Sequence, residues 1–206
     1  MPPEVIIAFF AASVLLALSP GPDNLFVLIH SAMYGPRSGI VVTAGLCSGL
    51  LFHTTIVALG ITTLFKDSSL AFMLLKWAGA LYLLYLSWHS LRASVKRAEN
   101  QEQRQITGFQ LYRRGVIMNV TNPKVSIFFL AFLPQFTSSD YGPLSYQFFI
   151  LGALFILSTI LVFGVISLFS SLISKLLNGS VRAQKIMNRI AGAVFAGIAL
   201  KLVITI

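Results

Sequence analysis

The stretch Ser19-Pro20-Gly21-Pro22-Asp23-Asn24 interrupts an apolar run that extends over about 4–32. Pro20 and Pro22 remove backbone donors and Gly21 loosens the chain, where a bilayer would demand an unbroken helix. The same stretch holds Asp23, the only carboxylate in the interior of an apolar segment. A charge at such depth costs about 2.5–3.5 kcal/mol on insertion scales, so its presence points to a task. A second interruption, Asn119-Val120-Thr121-Asn122-Pro123-Lys124, breaks the fourth apolar run and carries the opposite charge. Two broken spans of this kind are the pattern of a transporter.

Composition supports that class. Of 206 residues, 56% are hydrophobic and 10% are charged, and the mean hydropathy is +0.84. A soluble domain carries about 25% charged residues. At roughly 20 apolar residues per span, six spans nearly exhaust the chain as one transmembrane domain over 1–206. Most of the lysines and arginines behind the net charge of +9 lie in connections between apolar runs, without the aromatic interleaving of a nucleic-acid face, so no nucleic-acid partner is expected. Cys47 is alone and cannot form an internal disulfide. Val5 to Leu18 resembles the apolar part of a signal peptide. Met1-Pro2-Pro3-Glu4 lacks the basic flank, however, and the run reads as a retained first helix.

The six expected spans cover about 4–32, 38–64, 70–91, 114–133, 146–173 and 188–205. Connections one, three and five hold Arg37, then Arg92, Lys96, Arg97, Arg104, Arg113 and Arg114, then Lys175, Arg182, Lys185 and Arg189. Connections two and four hold only Lys66. The positive-inside rule then places both termini outside, with Lys76 and Lys201 as snorkelling outer anchors. The mixed-charge connection 92–113 divides the chain into halves 1–91 and 114–206. Three spans per half make the second half inverted relative to the first, so the expected fold is an all-α membrane protein with broken helices 1 and 4. The first break falls some 15 residues into its span and the second only about five past Arg114. Gly45 with Gly49, and Gly192 with Ala196, suit close helix approach, within one subunit or in a possible homodimer.

The breaks also offer chemistry. Pro22 can start a half-helix with Asp23 and Asn24 in its first turn, and Asn122 can cap one started by Pro123 and carrying Lys124. Freed N–H groups suit a carboxylate, and carbonyls released before the prolines suit an ammonium group. A zwitterion would fit between Asp23 and Lys124; alternatively, the two form a structural ion pair that only steadies the kinks. Asn119 and Thr121 line a polar path or satisfy broken backbone. Asp23 is a candidate carrier of a coupling proton. His53 is a second candidate, or a neutral histidine bonded to a carbonyl. His30 and His89 are expected to face water. Tyr82, Tyr85 and Trp88 read as packing or an aromatic belt. No clustered ligands suggest a metal, no P-loop suggests ATP, and Gly45-Leu46-Cys47-Ser48-Gly49 is not a nucleophile elbow. No cofactor or enzymatic activity is expected.

The runs "LSPGPDNLFV" at 18–27, "LKWAGALYLLYL" at 75–86 and "NVTNPKVSIFFLAFLPQF" at 119–136 resemble the LysE/RhtB family of bacterial amino-acid exporters. The resemblance implies proton-driven export of an amino acid or small derivative across the bacterial cytoplasmic membrane. It points to Pro20, Gly21, Pro22 and Asp23, then Asn119, Asn122, Pro123 and Lys124. Ser87 departs from the glycine common in relatives. Thiol-electron carriers of the same superfamily need two intramembrane cysteines, and Cys47 stands alone. With no further acidic group in the spans, neutral threonine- or homoserine-like substrates are favoured. A membrane scaffold and an ion exporter or channel are the alternatives.

Overall fold

A computed structural model describes residues 1–67, 69–92, 107–173 and 181–204. Most of the mixed-charge connection, 93–106, the first part of the basic loop, 174–180, and the side chains of Lys66, Lys76 and Lys201 lie outside the described residues. Helix α1 spans Pro3–Leu18, α2 Pro22–Tyr34, α3 Pro36–Asp67 and α4 Ser69–Arg92. In the second half α5 spans Gly108–Val120, α6 Pro123–Ile127, α7 Leu144–Leu168 and α8 Val181–Ile204.

Helix α1 stops where Pro20 forbids another helical residue before it: Ser19 is extended, and its N–H still reaches the Leu15 carbonyl at 3.0 Å. Gly21 is the extended N-cap of α2 and Pro22 its first residue. The two helices meet at 62°. The second break repeats the plan, with the Asn122 side chain accepting from Lys124 N at 3.0 Å, Pro123 opening α6, and a 47° bend.

Helix α5 begins at Gly108, ahead of the apolar run expected from Arg114. Thr107 and Gln110 form a reciprocal capping box there, which supports a polar turn that hydropathy alone reads as loop. The break therefore follows 13 helical residues, against 16 in α1. The two halves are more alike than the apolar runs suggest. Beyond α6 the helix widens to a π turn over Phe128–Phe132 and tightens to a 3₁₀ turn over Leu133–Phe136. Pro134 cannot donate to the preceding turn, and Gln135 Nε2 takes the Ala131 carbonyl at 2.9 Å.

Packing follows the exchange of halves. Helix α3 lies against α5 and α7 lies against α1; α3 and α7 pack together, as do α4 and α8. Helix α4 touches the π turn, and α8 touches α1. Pro36–Gly60, Leu144–Leu168 and Gln184–Ile204 are long and apolar enough to cross a membrane, and each bent pair, taken together, has the length and apolarity of a broken span or a re-entrant loop. The remaining segment, α4, has 24 residues, about 36 Å of helix, which also exceeds the hydrocarbon thickness. Leu59, Leu81, Leu161 and Leu200 are exposed on the outer faces, where lipid meets them. The protein is an all-α, multi-pass membrane protein.

The small residues are used within the chain. A Cβ on Gly45 would meet the Tyr112 carbonyl, and one on Gly115 the Val42 carbonyl, so α3 and α5 approach backbone to backbone. Gly49 admits Asn119. Ser87 is accommodated by donating to the Gly192 carbonyl at 2.7 Å. Gly115→Leu is expected to destabilise the fold by about 1–3 kcal/mol. The check is a lower unfolding temperature in detergent, with Gly108→Ala, where a Cβ meets open space, as the unaffected control.

Candidate functional site

The two breaks meet in the interior. Asp23 is 3% exposed and Lys124 7% exposed, each in the first turn of the half-helix that its break begins. Asn119 and Asn122 are buried with them, and Asn24 is half-buried. Pro22 and Pro123 face outward.

The charged groups do not pair directly, since no amine–carboxylate contact within 4.0 Å joins them. Each instead supports the other half's break. Lys124 Nζ donates to the carbonyls of Leu16 at 3.2 Å and Ser19 at 3.1 Å, at the C-terminal end of α1. Asn122 Nδ2 donates to Asp23 Oδ2 at 2.9 Å. A lysine suits this end of a helix, where unpaired carbonyls and the helix dipole both favour a cation. Gly21 leaves room for the approach: a Cβ there would stand 3.3 Å from Lys124 Nζ, a tight contact that a small shift of the side chain would have to relieve.

This arrangement changes what the broken backbone can offer. The carbonyls before the prolines look available to an ammonium ligand, but the protein occupies them itself. Leu16 and Ser19 are taken by Lys124, and Ala17 accepts from Asn24 Nδ2 at 2.6 Å. At the other break Asn119 O accepts from Asn122 N at 3.1 Å and from His53 Nε2 at 3.2 Å. The ring of His53 packs against Phe129. Thr121 turns back to the Ile117 carbonyl and is exposed.

What stays open is a set of side-chain oxygens. Ser19 Oγ, Asp23 Oδ1, Asn24 Oδ1 and Asn119 Oδ1 are buried without a partner within the protein. All four can accept a hydrogen bond, and one carries charge. The site is therefore rich in acceptors and suits a ligand with several donors, such as an ammonium group. Phe9, Phe128, Phe132, Phe136 and Phe155 pack as an aromatic cluster in the buried core, their rings 4.8–5.9 Å apart in successive pairs.

Sequence reasoning left open whether Asp23 and Lys124 meet each other or a ligand, and the partners they have in the fold, Asn122 and the α1 carbonyls, were not among its readings. His30, expected in water, is buried, with Nδ1 on the Phe26 carbonyl at 3.0 Å and the ring between Phe26 and Tyr34. It lies on the packed face of an amphipathic half-helix, a periodicity that its place near the helix end obscured. His89 is exposed as expected, and Trp88 on α4 holds the Arg92 guanidinium 3.7 Å above its ring.

A family model described as "LysE type translocator" matches residues 14–205. The chain is 34% identical over 189 residues to a "Homoserine/homoserine lactone efflux protein" of Salmonella typhimurium, covering 91% of this chain and 90% of that one. A protein of the same description from Salmonella typhi matches to the same extent. An "Uncharacterized membrane protein" of Vibrio cholerae is 30% identical over 197 residues, 94% of each chain. No solved structure matches.

Proposed function

Because the chain belongs to the LysE type translocator family, we propose that it exports small neutral amino acids of the homoserine or threonine kind, coupled to protons, with Asp23 as the central group. The protein is a transporter and not an enzyme. The observation that carries the proposal is the meeting of two helix breaks around unpartnered acceptor oxygens beside a lysine.

Asp23 Oδ1, with Ser19, Asn24 and Asn119, receives the substrate ammonium. Lys124 spends two of its three N–H groups on α1 and keeps one for a carboxylate, assisted by the free amides that open α2. The Salmonella relatives are named for homoserine and its lactone. Those two compounds share an amine but not a carboxylate, which fits a site whose dominant contact is made to the ammonium end. Among the described residues Asp23 is the one buried carboxylate, so a second cationic group, as in lysine, finds no second carboxylate here. The excess of Lys and Arg in connections one, three and five supports an orientation with those loops in the bacterial cytoplasm and the termini outside.

Reconstitution into liposomes with labelled amino acids tests the proposal. Homoserine or threonine uptake is expected to follow an imposed pH gradient, and lysine uptake to stay at background. Equal movement of lysine would refute the neutral preference, indifference to the gradient would refute proton coupling, and substrate-independent current would point to a channel.

A further inference from the structure

Asp23 presents its open oxygen from a hydrogen-bonded frame, and that frame ends on α3. The Asn122 side chain accepts from Lys124 N at 3.0 Å through Oδ1, which leaves its Nδ2 to donate to Asp23 Oδ2 at 2.9 Å. One carboxylate oxygen is thereby committed, and Oδ1 is left without a partner within the protein. Asn122 is fixed in turn by the chain that closes α5, its own N–H donating to the Asn119 carbonyl at 3.1 Å. The same carbonyl accepts from His53 Nε2 of α3 at 3.2 Å.

The histidine bond is additional to what the turn needs. A carbonyl is satisfied by one donor, and Asn122 N supplies it. A carbonyl also only accepts, so His53 Nε2 carries the hydrogen. His53 is nevertheless buried, with its ring against Phe129, where an apolar side chain would fill the space without a polar group. One turn earlier on the same helix, Gly49 seats the Asn119 side chain: a Cβ there would stand 2.6 Å from Asn119 Cβ and Oδ1. Both anchors therefore come from α3, which runs unbroken from Pro36 to Asp67, and both hold Asn119 at the end of a helix that is broken.

We infer that His53 is a positioning residue of the transport site. With Gly49 it seats the Asn119–Asn122 turn on α3, and through Asn122 it aims Asp23 Oδ1 at the substrate ammonium. It acts by donating one hydrogen bond and does not carry the coupling proton. The inference rests on the transport reading above.

Solute exchange in liposomes tests it, with an amino acid that the wild type carries. His53→Phe keeps a ring against Phe129 but cannot donate. It is expected to raise the KM of exchange about 3–10-fold, the range of one neutral hydrogen bond, with the maximal rate per folded protein little changed. His53→Gln supplies an amide nitrogen in place of Nε2 and should restore both the wild-type KM and the wild-type response to a pH gradient. Asn122→Ala cuts the link to Asp23 and should raise the KM by itself; adding His53→Phe should then raise it no further. Gly49→Ala displaces Asn119 while keeping every donor, and gives a second reading of the same rise in KM if His53→Phe folds poorly. A wild-type KM in both His53→Phe and Gly49→Ala would overturn the inference. So would a His53→Phe effect of equal size with and without the Asn122 side chain, or a His53→Gln variant that behaves like His53→Phe. Recovery of KM in His53→Gln without recovery of the gradient response would make His53 the proton carrier instead. The export reading is decided on the wild type and this inference on the variants, so the two fail separately.

Discussion

Asp23→Asn is expected to abolish gradient-driven export while leaving the protein folded. The substitution preserves shape and retains an oxygen for the Asn122 amide, which now sits 2.9 Å from Oδ2. Its amide nitrogen then replaces Oδ1, an acceptor with no partner, by a donor. A hydrogen bond to a charged group contributes about 1.5–3 kcal/mol, so homoserine affinity should fall about 10–150-fold. Exchange of labelled for unlabelled homoserine separates the two tasks assigned to this carboxylate. Loss of exchange and of pH-driven uptake together identifies ammonium contact. Exchange that persists without any response to the gradient identifies proton carriage. Wild-type uptake by a well-folded variant would remove Asp23 from the site.

Lys124→Met is expected to damage the fold itself. It leaves the Leu16 and Ser19 carbonyls without their donor and removes the positive charge nearest a buried carboxylate. Breaking such a buried arrangement from one side costs about 3–5 kcal/mol. The measurement is unfolding temperature in detergent, together with the yield of monodisperse protein. The double change Asp23→Asn with Lys124→Met then discriminates. If the two residues served only as an ion pair, removing both would restore stability. The geometry holds that the orphaned carbonyls remain, so the double variant should stay destabilised.

Much of this site was legible because its chemistry is local. Ser-Pro-Gly-Pro and Asn-Pro place a helix end and a helix start within a few residues, whatever the surroundings. The start of α5 was legible too, in the spacing of Thr107 and Gln110, but charge around Arg113 and Arg114 hid it from a hydropathy reading. The partner of Lys124 was not legible. Opposite charges at equal depth suggest a pair, and only the tertiary path of α1 shows that its open carbonyls lie closer than the carboxylate. The π turn follows from Pro134 once its register is known. His53 and Asn119 come from helices far apart in sequence, and nothing local marks either as the other's partner.

The cross-bracing of the breaks also bears on how the chain is made. Lys124 follows Ser19 by 105 residues, about 5–20 s of synthesis at ordinary bacterial and eukaryotic rates. During that interval the first half sits in the bilayer with an unfinished helix end and a lone carboxylate. Its completion is post-insertional, supplied by a segment that has yet to leave the ribosome. A stalled or truncated chain is therefore marked by the groups that Lys124 and Asn122 would have covered, and a membrane protease or chaperone that senses polar defects would have a specific signal for incomplete copies.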